Sequence, residues 1–490
     1  MARTLIIVSS YDPGYLRISE HLVVTAILKG RTPIVLDVSG TSASPVDSYH
    51  RGALRLFGLK YPGHDLDIRL AARGATVFRI NDVLEEAPDV DLNEHVEIEL
   101  ETAIRSALIT FYRTEAPDER KRSVARTRKL LSIEGRSAYR AITHLLKQYG
   151  DVVEVDVPNG RFPNQKMSTL AAHDCSIATM HFEKGETPNG AYLQGYAPQS
   201  RLVSQANVEP VLEGLTEAQI DVIADEWLSH RAPSKGSRNE FSALWADGLP
   251  NAFSAGRASG AGVAGFFTSS QDEYHSLGPE WQLHSWTSQF EAFNAALTVL
   301  EEAGYRSYIR VHPNLATKAH DSFKRERDGI RQLQALHPNL LVIWHDDFAN
   351  TYALLDQTDV VVAWDSTVGL EANARGIPVW TMATSRYGLT ADVHEILSPT
   401  ALAEDGLKLW KVNPHAAKRF IAYMVRRDSQ MPENPESWES WTTNPLPLGV
   451  RLSRVLVSGG NPTPRAAVQS LVDVYRHRRS KSNIRSLLRR

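Results

Sequence analysis

The sequence predicts an α/β protein built on doubly wound parallel sheets, and three observations carry that prediction. From Val263 onward, short apolar, β-branched runs alternate with helix-periodic segments through Met382, the alternation that parallel strands joined by crossover helices require. The first residues repeat the same grammar: Leu5 to Ser9 and Pro33 to Asp37 read as strands around a helix over Leu16 to Lys29. A chain of 490 residues also exceeds what one hydrophobic core serves, so two or three domains are expected.

Taken in order, Thr76 to Ile80 is a third strand candidate, and residues 92–148 then turn polar, rich in Glu and Arg, and helix-periodic. HVEIELETAIRSALITFYR and RSAYRAITHLLKQYG are the clearest amphipathic helices of this insertion. The basic run from Arg120 to Lys129 reads as a solvated helix face, with contact to an acceptor or lipid headgroup as the other reading. Strands resume at Val152 to Val155 and Ser176 to His181, flanked by two polar stretches, 157–165 and 181–201, that read as loops. A helix over Leu215 to Arg231 leads into the Gly-, Ser- and Ala-rich segments RAPSKGSRNEF and SAGRASGAGVAG, read as the interdomain connection. The glycines of SGAGVAG do not form GxGxxG ahead of a helix, so no dinucleotide fingerprint is assigned. The expected division is 1–235, with the helical insertion at about 92–148, then 236–430. A Pro/Trp loop, a helix and a basic tail follow over 431–490.

The densest chemical signal is DQTDVVVAWDSTVGLEANARGIPVW. Val360 to Trp364 is an apolar run that breaks into Asp365-Ser366-Thr367, and a second apolar run begins at Pro378. Strand, polar turn, helix, strand is the resulting pattern. Hydroxyls at a helix start, beside unpaired N–H groups, form a phosphate cradle. Glu371 lies about one turn in, where a carboxylate can accept two hydrogen bonds from a ribose diol. Helix-start capping without a ligand accounts for the same letters. Upstream, Tyr305 to Val311 reads as a buried strand that His312-Pro313-Asn314 terminates, placing His312 at the strand's carboxyl edge. The chain contains its own control: His337-Pro338-Asn339 repeats those letters after the amphipathic segment Phe323 to Leu336, where they read as a helix stop.

Together GFFTSSQDEY (265–274), RVHPNL (310–315) and 346–380 with Tyr387 resemble the bacterial capsule-polysaccharide biosynthesis glycosyltransferases, a set related to Kdo transferases and, more remotely, to wall-teichoic-acid glycerophosphotransferases. The resemblance covers roughly residues 263–390 well and the first 180 thinly. It implies a GT-B fold, two Rossmann-like domains facing across a cleft with the nucleotide-sugar donor held mainly by the second. It implies that His312 and Ser366-Thr367 contact donor phosphate and that Glu371 binds the ribose. Thr268-Ser269-Ser270 and Arg310 join them as donor-binding residues. Related enzymes carry a Glu-x-Gly element that Glu183-Lys184-Gly185 resembles. Glu183 and Glu186 are therefore candidates for the general base or for binding acceptor hydroxyls, with a solvated turn as the alternative. Asp12 and His21 are further candidates for that role.

Composition fits a globular enzyme without identifying it: the net charge of −3 gives no bias toward nucleic acid. One cysteine, Cys175, excludes an internal disulfide framework and any Cys-rich metal site. No DxD-like pair stands where a metal-dependent transferase holds one, and Asp346-Asp347 is assigned to the segment before the donor helix, so no metal is expected. No cofactor is expected beyond the nucleotide-sugar co-substrate, of which a CMP-linked sugar is one form. The apolar run of MARTLIIVSSYDPG is too short for a signal-peptide core and no run reaches membrane-spanning length. The expected location is cytoplasmic, with the basic tail RHRRSKSNIRSLLRR suited to anionic phospholipid at the inner face of the plasma membrane, a disordered solubilising tail being the other reading. Trp438 and Trp441 read as packing residues or sugar-stacking ones. The expected activity is transfer of a sugar to a cell-surface polysaccharide or glycolipid acceptor. A polyol-phosphate transferase, a nucleotide-sugar 2-epimerase and a non-catalytic nucleotide-binding scaffold are the competing readings.

Overall fold

The computed structural model describes residues 1–9, 13–38, 66–187, 190–231, 261–313, 315, 318, 320–347, 349–406 and 409–428. Asp12, residues 232–260 with most of the interdomain connection, Trp438, Trp441 and the basic tail lie outside the described residues.

The chain forms two six-stranded sheets. The first contains β1 (Arg3–Val8), β2 (Thr32–Asp37), β3 (Thr76–Arg79), β4 (Val152–Pro158), β5 (Ala178–Lys184) and β6 (Ala191–Gln194), in the order β3-β2-β1-β4-β5-β6. The second contains β7 (Val263–Phe267), β8 (Arg306–Arg310), β9 (Leu341–Ile343), β10 (Val360–Ala363), β11 (Val379–Thr381) and β12 (His394–Glu395), in the order β12-β11-β10-β7-β8-β9. β1 to β5 pair in parallel, as do all neighbours in the second sheet. Each sheet follows the doubly wound 3-2-1-4-5-6 order, read from its own first strand. The α/β class and the two Rossmann-like sheets are as expected.

Strands such as β10, buried at every position, are apolar throughout because helices cover both faces of a parallel sheet. In the first unit the helices Glu94–Tyr112 and Arg122–Gln148 fall where amphipathic periodicity places them. Their apolar stripes (Val96, Leu100, Ile104; Leu131, Ala138, Ile142) join Leu5, Ile7, Ile34 and Leu36 in one core. Gly135 permits that packing, since a Cβ there would meet Leu100 Cδ1 at 2.4 Å. The basic run is balanced by nearby carboxylates: Arg128 pairs with Glu101 and Glu119, and Arg120 with Asp118. These are the contacts of a solvated face.

Two stretches read as loops are more ordered than expected. β4 continues through Pro158 and a helix starts at Pro163, leaving only a short turn in 157–165. Within 181–201, β5 runs to Lys184 and β6 occupies Ala191–Gln194. β4 is buried over its last four residues, and β6 at three of its four, in spite of their polar letters.

Packing divides the described residues into Met1–Phe182, with a short piece ending at Phe323, and Glu183–Leu315 with Lys324–Pro432. The sequence reading drew its line at 235. The difference has a physical cause: Trp227 and Leu228 of the helix Glu217–Arg231 bury into a cluster with Leu370, Tyr387, Phe420 and Tyr423, so residues before 235 share the second unit's core.

Candidate functional site

In the second sheet, β8 and β9 lie on one side of β7, and β10, β11 and β12 on the other. The chain therefore leaves β7 and β10 in opposite directions, the crevice where open α/β sheets take ligands. Because β7, β8 and β10 are parallel neighbours, the segments following their carboxyl ends emerge at one edge. Those segments are Thr268-Ser269-Ser270, Val311-His312 and Trp364-Asp365-Ser366.

Hydrogen bonds lace the three together. The His312 N–H donates to Thr268 Oγ1 at 2.7 Å. Ser269 Oγ donates to the Asp365 carbonyl at 2.8 Å and accepts the Asp365 N–H at 3.1 Å. The Ser269 N–H donates to Gln289 Oε1 at 3.2 Å, and Ser270 Oγ to Asp272 Oδ1 at 2.9 Å. Thr268, Ser269 and Ser270 are all buried, so their hydroxyls shape the edge. His312, Asp365, Ser366 and Thr367 are half-buried. Burial raises the Asp365 carboxyl, with the Arg386 charge opposing it.

Ser366 caps the helix Thr367–Asn373, its Oγ accepting the Val368 N–H at 3.3 Å. The Ser366 carbonyl in turn accepts from the Tyr387 hydroxyl at 2.8 Å. Gly369 makes this possible: a Cβ at that position would stand 2.3 Å from the Tyr387 oxygen. Tyr387 thus sets the angle at which the helix leaves the strand, from a fully buried position.

Glu371 is 1% exposed. Its Oε1 accepts from Arg231 Nε at 2.9 Å, and the Arg231 guanidinium carbon stands 4.5 Å from the Trp227 ring centroid. Burial works against the Arg231 charge, but Glu371, Tyr352 and Glu186 outweigh it and raise its pKa. Glu186 is thus near enough for Arg231 to feel its charge.

Arg310 is placed differently from a phosphate-binding side chain. It is buried, and its guanidinium donates to the carbonyls of Trp344 and Asp347, tying down the segment after β9. Burial lowers its pKa to about 10, with Asp347 and Asp346 opposing. Asp347 Oδ2 accepts the Trp344 N–H at 2.6 Å. Among the described residues no group of three or more His, Cys, Asp or Glu is gathered to hold a metal ion. His337 is a helix stop: its ring nitrogens lie 2.7 Å from Glu301 Oε2 and 3.0 Å from Asn294 Oδ1.

Glu183 stands near the end of β5 and Glu186 just beyond it. Glu183 Oε1 accepts the Lys184 N–H at 2.8 Å. The turn that follows closes on Asp428, whose Oδ2 accepts the Thr187 N–H at 2.8 Å. Burial pushes the Asp428 carboxyl up to about 6, while the neighbouring Arg427 guanidinium lies 3.8 Å from the Tyr192 ring centroid. His21 is buried in the helix Pro13–Leu28, and burial lowers its pKa.

Arg231, Gln289, Tyr387 as a helix support, and Asp428 were not found as site residues from sequence. Each acts on a partner distant in the chain, and only Tyr387 carried any signal, through the motif in which it stands.

No curated protein matches the sequence. Among solved structures, the KpsC β-Kdo 2,4-transferase of Thermosulfurimonas dismutans is similar at 13% identity and a TM-score of 0.34, over 56% of this chain and 80% of that one. A Rickettsia africae glycosyltransferase gives 12%, 0.31, 87% and 96%. The Neisseria meningitidis UDP-GlcNAc 2-epimerase gives 13%, 0.28, 96% and 99%. Likeness this loose leaves the site to be read from the chain's own residues. Residues 282–420 match the family model described as capsule polysaccharide biosynthesis protein. That stretch holds His312, Ser366 and Glu371.

Proposed function

We propose that the protein is a metal-independent glycosyltransferase that moves a sugar from a nucleotide-activated donor to a capsule-type polysaccharide or glycolipid acceptor. The observation that carries the reading is the lacing of the His312 segment and the Ser366 turn to Thr268 and Ser269 at the carboxyl edge of the second sheet, where the strand order reverses, with Glu371 one turn into the helix that Ser366 caps. The family match over the same residues supports it.

The donor nucleotide lies over that edge. Its ribose diol donates to Glu371, and its phosphate meets His312 and the hydroxyls of Ser366 and Thr367. During transfer the bond from the anomeric carbon to the phosphate oxygen breaks, and its electron pair leaves with the nucleotide. Preorganised donors at the edge offset that charge without reorganising. The acceptor hydroxyl forms the new bond to the anomeric carbon, and its proton passes to Glu183 or Glu186. The basic tail over 476–490 contributes peripheral contact with anionic membrane, keeping a lipid-linked acceptor close.

Incubation with a panel of nucleotide sugars and capsule-type oligosaccharide acceptors, read by mass spectrometry, tests the reading. Acceptors lengthened by one sugar are expected, with the product lost in His312→Ala. Nucleotide binding with no transfer to any acceptor favours the scaffold reading, and interconversion of free donor sugars favours an epimerase.

A further inference from the structure

Glu371 poses a physical problem that its proposed role does not solve. A carboxylate that is 1% exposed needs a counter-charge or several hydrogen bonds to stay buried as an anion. Among the described residues, the cation in contact with it is Arg231, the last residue of the helix Glu217–Arg231 and 140 residues earlier in the chain. Arg231 is itself fixed by the Nε bond to Glu371 Oε1, by its position over the Trp227 ring and by the Tyr352 side chain, which also reaches Glu371. Trp227 is in turn buried in the cluster that holds Leu370 and Tyr387. A planar guanidinium held edge-on by a carboxylate and face-on by an indole has little rotational freedom, which an ammonium in its place would keep.

We infer that Arg231 is a positioning residue for nucleotide recognition: it holds the Glu371 carboxylate oriented to accept the ribose hydroxyls. The inference rests on the donor-site reading above. It makes the ribose preference of the site depend on a residue outside the family-matched stretch of 282–420. The competing view is that Arg231 only fastens one helix to another. A fastener would affect the fold, or binding of every ligand alike, whereas a positioning residue affects the part of the ligand that Glu371 reads.

The test is titration calorimetry on the full-length protein with CMP, CDP, UDP and GDP, followed by the 2′-deoxy form of whichever binds. Loss of a hydroxyl that a carboxylate accepts weakens the wild type by about tenfold or more. In Arg231→Met the ribonucleotide is expected to weaken until the two forms bind within about twofold of each other. Arg231→Lys, which keeps the charge but not the planar fork, should retain part of the preference. If Arg231→Met fails to fold, Arg231→Met with Glu371→Gln removes both charges together, and the same loss of preference is expected. An undiminished ribose preference in Arg231→Met overturns the inference while leaving the donor site standing, whereas the same result in the double mutant also removes Glu371 from ribose recognition. Tighter ribonucleotide binding in Arg231→Met also overturns it, since Arg231 would then be a competitor for Glu371. Failure of the wild type to bind any of the four nucleotides removes the donor-site reading and this inference with it.

Discussion

Ser269 and Asp365, 96 residues apart in the chain, exchange two hydrogen bonds through a single hydroxyl. Ser269 Oγ donates to the Asp365 carbonyl at 2.8 Å and accepts its N–H at 3.1 Å. The loop after β7 is thereby fixed to the turn that presents Ser366. Ser269→Ala leaves both backbone groups of Asp365 without that partner in a buried setting. A loss of about 1–3 kcal/mol is expected, read from the denaturant midpoint at unchanged m value.

His312 should separate stability from chemistry. Its bond to Thr268 Oγ1 is made by the backbone N–H, which alanine keeps. His312→Ala is therefore expected to stay within about 1 kcal/mol of wild-type stability. Its transfer rate should fall by about a hundredfold or more. Parallel denaturation and turnover measurements check the pair of outcomes, and normal turnover would remove His312 from the chemistry.

Gly369 and Tyr387 form a steric pair at the helix start. A Cβ at 369 would meet the Tyr387 oxygen at 2.3 Å, so Gly369→Ala should cost about 1–3 kcal/mol. Tyr387→Phe removes the obstructing oxygen along with the hydrogen bond to Ser366. The double mutant should then be more stable than the two single losses added together, and a double-mutant cycle measures the coupling.

The same features show what a sequence discloses and what it withholds. β10 and its polar turn were legible because a continuous apolar run ending in Asp-Ser-Thr is a local pattern. The two His-Pro-Asn copies were separable for the same reason, by what precedes each of them. Arg310 was read as donor-binding through the family resemblance, yet its guanidinium is engaged by the carbonyls of Trp344 and Asp347. Nothing nearby in the sequence marks that. The Arg231–Glu371 pair and the Arg201–Glu395 pair, 140 and 194 residues apart, were invisible because ion pairs between distant elements leave no periodicity. The unit boundary moved for a related reason: the helix ending at Arg231 is amphipathic wherever its partner lies, and the partner is Pro414–Asp428.

Asp428 carries a pH signature. Its carboxyl is raised by burial to about 6, above the unfolded value near 3.9. Between those two values the folded state binds more protons than the unfolded state, so this group lowers stability as pH rises from about 4 to 6. The full effect is at most about 3 kcal/mol, reached above pH 6. Asp428→Asn can still accept the Thr187 N–H through its amide oxygen and removes the ionisation. Its melting temperature relative to wild type should rise between pH 4.5 and 7, and a pH-independent difference would mean that Asp428 is not held this way.

The most direct test of the central claim is titration of the wild type and Ser366→Ala with CMP, CDP, UDP and GDP, followed by thermal unfolding. The account predicts that at least one nucleotide stabilises the wild type, by about 2.7 kcal/mol at a hundred times its dissociation constant, and stabilises Ser366→Ala distinctly less. Equal stabilisation of the two proteins would contradict it, because the nucleotide would then be bound somewhere other than the edge formed by β7, β8 and β10.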